Sequence, residues 1–116
     1  MSRGQVVTVR TPHPSGVRGK KRPCVIVQSD AYDSVVHTVV MAEITSNLTL
    51  ATDPACLLID LTTPEGMATG LMTDSVVSCL NLVTVYKRDI DQVLGVLSPA
   101  LLARLDGCLK VALALP

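Results

Sequence analysis

Short runs of β-branched and aliphatic residues, each followed by turn-forming residues, recur along most of this chain and favour a mainly β fold. Runs of about four to eight residues rich in Val, Ile and Thr and bounded by Gly, Pro, Asn or Asp are typical of strands. One of them, P-C-V-I-V-Q, is nearly all apolar, which indicates a strand buried on both faces. The runs occupy residues 5–10, 23–28, 36–44 and 56–61, then 75–79 and 82–86 as two short strands or one interrupted strand, with Q-V-L-G-V-L as a further candidate.

A single helix is predicted at the C-terminal end. Ser98 can cap it, and Pro99 suits its first turn. This succession of short strands and one terminal helix predicts an α+β, mainly β, fold: a small antiparallel barrel or strongly twisted sheet with the helix laid against it. We expect one domain, residues 1–116. The apolar face of the helix is predicted to comprise Leu101, Leu102, Leu105, Cys108, Leu109, Ala112 and Leu113.

The core of such a fold must be aliphatic, because the chain has no Trp, no Phe and only two Tyr residues. No apolar run approaches the roughly 18–20 residues of a membrane span, and the start M-S-R-G-Q-V lacks the apolar block of a signal peptide. The sequence therefore predicts a soluble, cytoplasmic protein. Buried, reduced thiols without a C-x-x-C zinc or redox pattern are expected at Cys24, Cys56, Cys79 and Cys108.

The basic residues are concentrated near the N-terminus. Residues 1–22 carry six positive charges and no acidic residue, although the net charge of the chain is zero. Four of the six lie in the stretch G-V-R-G-K-K-R-P, which we expect to be part of a loop that begins at T-P-H-P-S-G and runs to Arg22. Such an asymmetry indicates an anionic partner, most commonly nucleic acid. The alternative is a solvated loop whose charges have no ligand.

Arg22 and the segment Thr45-Ser46-Asn47 are the candidate chemical groups. If the second and third strands pair antiparallel, the start of one lies beside the end of the other, and Arg22 and Thr45 become neighbours. A guanidinium beside hydroxyl groups suits an anion, because arginine offers a planar fork of donors to phosphate oxygens. The sequence contains neither a metal-ligand cluster nor a glycine-rich nucleotide motif, so no metal or cofactor is expected.

Five segments in order resemble the MazF/PemK-type toxins of bacterial toxin–antitoxin systems: R-G-Q-V-V-T-V, G-K-K-R-P-C-V-I-V-Q, E-I-T-S-N, S-V-V-S-C-L-N-L-V-T-V and L-G-V-L-S-P-A-L-L-A-R-L-D. The resemblance implies an SH3-like barrel that forms a homodimer and is blocked by a cognate antitoxin. It also implies a metal-independent endoribonuclease that cuts single-stranded RNA at short motifs. In that reaction the 2′-hydroxyl attacks the adjacent phosphate, leaving a 2′,3′-cyclic phosphate and a 5′-hydroxyl. The family's catalytic arginine and threonine match Arg22 and Thr45, and Ser46 matches a neighbouring serine used in some members.

The chain departs from the family pattern at two places. Many members carry an acidic residue in the first loop, where this chain has Val17-Arg18. Many also carry a late acid–Gln–x–Arg–Thr motif, and here Leu80 and Val83 replace its carboxylate and its arginine. That carboxylate could serve as a general base. RNA contacts are expected from Arg18, Lys20, Lys21, Asn47, Asn81 and Thr84.

Two other functions remain compatible with the sequence. One is a non-enzymatic toxin on the same barrel, similar to the CcdB-type gyrase inhibitors, although the terminal A-L-A-L-P lacks the tryptophan expected for gyrase binding. The other is an inactive relative that keeps RNA or antitoxin binding without cleavage.

Overall fold

The computed structural model describes residues 1–12 and 18–116, without the side chains of residues 11–19. The predicted strands and the terminal helix are present in the expected order. Two single-turn 3₁₀ segments, Asp30–Tyr32 and Lys87–Asp89, connect strands. The elements are β1 (Gln5–Pro12), β2 (Arg18–Ile26), β3 (Thr38–Thr45), β4 (Cys56–Ile59), α1 (Pro64–Met67), β5 (Ser75–Tyr86), β6 (Ile90–Val96) and α2 (Pro99–Ala112).

The six strands form one antiparallel sheet in the order β4-β5-β3-β2-β1-β6. Within the described residues the edge strands β4 and β6 do not pair, so the sheet is open and no ladder closes it into a barrel. The segment after α1 lies against β6 instead, and the Val96 amide donates to the Ala68 carbonyl at 3.1 Å. Only glycine fits at Gly70, because its φ is +73° and a Cβ there would lie 2.1 Å from the Leu94 carbonyl oxygen.

Two aliphatic clusters fill the two faces of the sheet. Successive residues of β1 enter different clusters: Val6 packs in the cluster that includes α2, and Val7 in the other. Cys24, Val25 and Ile26 alternate between the clusters and are at most 2% exposed. The expectation that this run is buried on both faces is confirmed, and the buried hydrophobic side chains of the described chain include no aromatic residue.

Helix α2 begins as predicted. The Ser98 hydroxyl accepts a hydrogen bond from the Leu101 amide at 3.1 Å, which satisfies one of the free amides of the first turn. Leu101, Leu105 and Cys108 are buried against the sheet. The assignment of Leu113 to the apolar face was wrong, because this residue is the C-cap and is 51% exposed.

The loop predicted to run from Thr11 to Arg22 was also wrong at both ends, since β1 continues to Pro12. Strand β2 already begins at Arg18, and β1 pairs with it through Arg10↔Lys21 and Val9↔Arg22. Strand β3 pairs with β2 only from Cys24 onwards, so residues 18–22 belong to a two-stranded ribbon. Lys20 and Arg22 are exposed there. Because neither face of a solvated ribbon needs apolar side chains, the sequence pattern carried no strand signal. The rest of the predicted loop, residues 13–17 with His13, lies outside the described residues.

The later part of the chain contains one long strand, β5, and a short helix before it. Strand β5 is one interrupted strand, since its register against β3 shifts between Ala42 and Glu43. The long turn predicted before it contains α1, which Thr63 caps by accepting from the Gly66 amide.

The predicted buried thiols are confirmed: Cys24, Cys56, Cys79 and Cys108 are all buried and free.

Candidate active site

The register of β2 against β3 brings Arg22 and Thr45 together. Cys24 pairs with Glu43, and two further steps along the same antiparallel register lead to Arg22 on one strand and Thr45 on the other. Both side chains line the same cleft of about 310 Å³. The antiparallel pairing inferred from sequence is therefore present, and a guanidinium and a hydroxyl group face one ligand-sized space.

The turn after β3 orients the Thr45 hydroxyl. Its oxygen accepts a hydrogen bond from the Asn47 amide at 3.1 Å. The Asn47 side-chain oxygen in turn accepts from the Thr49 amide at 3.0 Å and from the Thr49 hydroxyl at 2.6 Å. The Thr45 hydrogen forms no hydrogen bond within the described residues, so the hydroxyl can donate it to a ligand in the cleft.

A bulge in β5 supplies another side of this cleft. Glu43 pairs with Ser78, while the preceding Ala42 pairs with Leu82, so residues 79–81 have no partner on β3. Asn81 turns back from this bulge, and its amide nitrogen donates to the Ser78 hydroxyl at 3.4 Å. Asn81, Ser78 and Glu43 thereby line the cleft together with Arg22 and Thr45.

A second cleft of about 480 Å³ lies on the other side of the same pair. Arg22 and Thr45 line both clefts and form a ridge between them. The second cleft is also lined by Ser46 and Lys20 and by aliphatic side chains such as Leu94. An extended chain that crosses the ridge would have a polar cleft on one side and a largely aliphatic one with a basic rim on the other.

The positive charges at this site differ in how they are paired. The Lys21 ammonium lies 2.7 Å from the Asp91 carboxylate. The hydrogen bond from Lys21 lowers the pKa of the exposed Asp91 carboxyl, and the charges of Lys21 and Arg10 act in the same direction. Arg22 and Lys20 form no salt bridge within residues 1–12 and 18–116. Their charges are therefore directly available to an anion.

The structure does not bring every predicted RNA contact to these clefts. Thr84 pairs with Val40, five residues before Thr45, which places it about 16 Å away along the strand direction. Arg18 begins β2 opposite Pro12, and its side chain lies outside the described part of the molecule. Lys20, Lys21, Asn47 and Asn81 do line one cleft or the other.

Sequence reasoning missed the cleft residues Glu43, Thr49 and Ser78. Glu43 could have been found, because residues two apart on a strand share a face and Thr45 was already a candidate. The position of Ser78 depends on the bulge, for which the sequence carried no signal. Leu80, which replaces a family carboxylate, lies in the bulge, is 55% exposed and lines neither cleft.

The described residues contain neither a metal-binding cluster nor a membrane-spanning helix. No group of three or more His, Cys, Asp or Glu side chains is arranged to hold a metal ion. None of the helices in residues 1–12 and 18–116 has the length and hydropathy to span a membrane.

Comparison with known proteins gives consistent matches over the whole chain. Residues 2–113 match the family described as PemK-like, MazF-like toxins of type II toxin–antitoxin systems. The relative named endoribonuclease MazF2 from Mycobacterium bovis is 35% identical, and the match covers 99% of this chain and 98% of that protein. Endoribonuclease MazF6 from Mycobacterium tuberculosis matches to the same extent.

Solved structures show the same fold. An endoribonuclease from a mycobacterial species, in complex with its cognate antitoxin, superposes with a TM-score of 0.79 at 24% identity, covering 100% of this chain and 97% of that one. A MazE–MazF structure from Deinococcus radiodurans gives a TM-score of 0.76 at 20% identity, covering 100% and 98% of the two chains.

Proposed function

This chain belongs to the family of PemK-like, MazF-like toxins of type II toxin–antitoxin systems, and we propose that it acts as an endoribonuclease that cleaves single-stranded RNA at short sequence motifs. The observation that carries the proposal is the ridge on which Arg22 and Thr45 lie between two clefts. A guanidinium and a hydroxyl donor can bind one phosphate there, with the neighbouring nucleotides in the clefts. The name endoribonuclease, carried by relatives matched over nearly their whole length, favours cleavage over gyrase poisoning.

We propose that the reaction uses the RNA's own 2′-hydroxyl as the nucleophile, as the family resemblance implies. The 2′-oxygen attacks the adjacent phosphorus, and the bond to the 5′-oxygen breaks. The products are a 2′,3′-cyclic phosphate and a 5′-hydroxyl. Because the nucleophile belongs to the substrate, the reaction needs no metal-bound water, and we propose that it is metal-independent.

Arg22 and Thr45 stabilise the charge that develops on the phosphate. Arg22 donates two hydrogen bonds to the non-bridging oxygens, and its positive charge offsets the added negative charge. The Thr45 hydroxyl, held by the Asn47 amide, donates to the same oxygens. Donors aimed at charge that grows in the transition state accelerate the reaction more than they tighten substrate binding. Ser46, on the side of the second cleft, is proposed to donate to the phosphate from there.

The rest of the RNA is proposed to follow the two clefts. Lys20 and Lys21 contact backbone phosphates at the rim of the second cleft, and Asn47 and Asn81 contact the nucleotide in the first. Arg18 is proposed as a further backbone contact. Thr84 lies too far along β5 to touch a nucleotide at the ridge, and a contact there requires a longer RNA.

The partners are proposed by analogy with the family. We propose that the chain acts in the cytoplasm as a homodimer and that a MazE-like cognate antitoxin covers the clefts. The exposed Met72 side chain, 96% accessible at the edge of the second cleft, offers an apolar contact for such a partner. Light scattering of the purified protein, alone and with the antitoxin, measures both assemblies.

The proposed activity is tested by incubating purified, antitoxin-free protein with RNA in EDTA. We expect fragments that end in 2′,3′-cyclic phosphate and 5′-hydroxyl. Arg22→Ala should slow cleavage by about 10²–10³-fold, because it removes a preorganised donor to the transition state. Arg104→Ala, which removes an exposed arginine of α2 outside the clefts, is the matched control and should cleave like the unmodified protein. Intact RNA after long incubation refutes the enzymatic proposal, and RNA that is bound but uncut identifies an inactive relative.

A further inference from the structure

Glu43 is a carboxylate in the first cleft that neither the sequence reasoning nor the family pattern assigns. It lies on β3 two residues before Thr45, so the two side chains project from the same face with Cα atoms about 6.6 Å apart. It pairs with Cys24 on β2 and so flanks the position from which Arg22 extends. Glu43, Arg22 and Thr45 line one cleft.

We propose that Glu43 is the general base of the cleavage reaction and takes the proton of the attacking 2′-hydroxyl. This inference rests on the proposed function and deepens it. The carboxylate that many family members supply from the first loop or from the position of Leu80 would here come from β3, two residues before the strand ends. A base on a paired central strand is held more rigidly than a base on a loop, which suits a group that must meet one oxygen atom.

The surroundings of Glu43 leave its carboxylate facing the cleft. The residue is only partly exposed, and no described side chain forms a hydrogen bond or salt bridge with it. The charged and titratable groups around it are Arg22 and Cys24 from β2 and, across Ser78, Cys56 from β4. The turn of residues 46–50 contributes no titratable side chain.

The pKa of the buried Cys24 thiol is affected by the charges of both Glu43 and Arg22. The pKa of Cys24 is raised to about 11: burial is the largest cause, the negative charge of Glu43 also raises it, and the positive charge of Arg22 lowers it. Glu43 on β3 and Arg22 on β2 therefore both lie close enough to the buried sulfur of Cys24 to change its pKa. A phosphate bound to Arg22 would have Glu43 beside it, on the face that also carries Thr45.

The proposed step balances in atoms and charge. The Glu43 carboxylate removes the proton from the 2′-hydroxyl, and the 2′-oxygen forms a bond to phosphorus. The bond from phosphorus to the 5′-oxygen breaks, and that oxygen takes a proton from water. Glu43 returns its proton to water, so the enzyme is unchanged and the overall reaction releases no proton.

The test compares Glu43→Gln with Glu65→Gln in steady-state cleavage of a short RNA. Gln keeps the size of the side chain and removes the base. Glu65 is exposed on α1, outside both clefts, and accepts a hydrogen bond from the Ser98 hydroxyl that a Gln side chain can also accept, so it is the matched control. We expect Glu43→Gln to lower kcat by about 10²–10⁴-fold with little change in KM. We also expect it to abolish the increase of kcat with pH on the acid side of the profile, while Glu65→Gln behaves like the unmodified protein.

A substrate with a sulfur leaving group distinguishes a base from an acid. In an RNA whose scissile 5′-oxygen is replaced by sulfur, the leaving group departs without a proton. If Glu43 activates the nucleophile, Glu43→Gln stays slow on this substrate. Full rescue by sulfur overturns the inference, because the residue would then act on the leaving group. Activity within about threefold of the unmodified protein, or a change confined to KM, also overturns it.

Failure of this inference and failure of the proposed function give different results. If the unmodified protein cleaves RNA and Arg22→Ala does not, but Glu43→Gln cleaves normally, only the assignment of the base is wrong. If the unmodified protein leaves RNA intact, the proposed function fails and the inference fails with it. Circular dichroism and thermal unfolding of both Gln variants show whether the fold is retained.

Discussion

Replacing Thr45 by valine separates its chemical role from its structural one. The substitution keeps the β-branched shape of the side chain and removes the hydroxyl. In the folded protein the hydroxyl oxygen accepts one hydrogen bond, from the Asn47 amide at 3.1 Å. In the proposed reaction the hydroxyl also donates to a phosphate oxygen. The two contributions have different sizes and are measured in different experiments.

The structural cost should be small. A single intramolecular hydrogen bond contributes about 0.5–1.5 kcal/mol to stability. Both residues are exposed, so water can satisfy the Asn47 amide in the variant. We therefore expect thermal unfolding to show a loss of about 1 kcal/mol or less in the free energy of unfolding.

The catalytic cost should be larger. Loss of one preorganised donor to a developing oxyanion costs about 10²–10³-fold in rate, or about 2.7–4 kcal/mol. Single-turnover cleavage of a short RNA measures this rate directly. Thr45→Ser keeps both hydrogen bonds and should retain most of the activity. Thr52→Val, at an exposed threonine that lines neither cleft, is the matched control.

Three results would refute this reasoning. A Thr45→Val protein that cleaves within about threefold of the unmodified rate shows that the hydroxyl does not donate in the transition state. A variant that loses activity together with several kcal/mol of stability shows that the hydroxyl mainly shapes the turn of residues 45–49. Equal losses in Thr45→Ser and Thr45→Val would point to the shape of the side chain and away from its hydroxyl.

The remaining predictions concern a surface charge and the buried thiols. Asp91→Asn removes the carboxylate that competes with an RNA phosphate for Lys21, so filter binding to single-stranded RNA should give higher affinity; unchanged affinity would place Lys21 away from the RNA. Burial raises the pKa of Cys24 to about 11 and that of Cys79 to about 12, so these thiols should resist a thiol reagent at pH 8 until urea unfolds the chain, and rapid labelling of the native protein would contradict their burial. Because these pKa values are raised in the folded state, stability should be constant at lower pH and should fall as the pH rises from about 9, where unfolded thiols ionise. Cys79→Ala should reduce that fall, and an unchanged pH profile would show that the thiol does not cause it.

Patterns of neighbouring residues were sufficient for most of the secondary structure. The alternation of β-branched residues located the strands, and the order Ser98-Pro99 located the start of α2. Such signals are local, because the side chains that a strand or a helix turns toward the core recur with the period of that element. Where a segment has no buried face, the signal disappears, and the exposed ribbon at Lys20 and Lys21 was read as a loop for that reason.

For the candidate site, the sequence indicated the residues but not how they are arranged. Arg22 and Thr45 could be chosen from sequence because of their chemistry and the family resemblance, and because each was predicted to lie at a strand end. That they face one cleft depends on the register Cys24↔Glu43, which is a contact between residues nineteen positions apart. Many registers are compatible with the same apolar pattern, and only the packing of the whole sheet selects one.

The sequence by itself therefore determined a mainly β fold with an aliphatic core, a terminal helix, a basic segment that includes Arg22, and a Thr-Ser pair where β3 ends. The tertiary structure decided which side chains share the site with that pair. The bulge of β5 removes Leu80 from the clefts and turns Asn81 into one of them, and the pairing of β3 with β2 places Glu43 beside Arg22. The physical reason is that local propensities act within a few residues, whereas register and bulges are set by contacts between strands far apart in the chain.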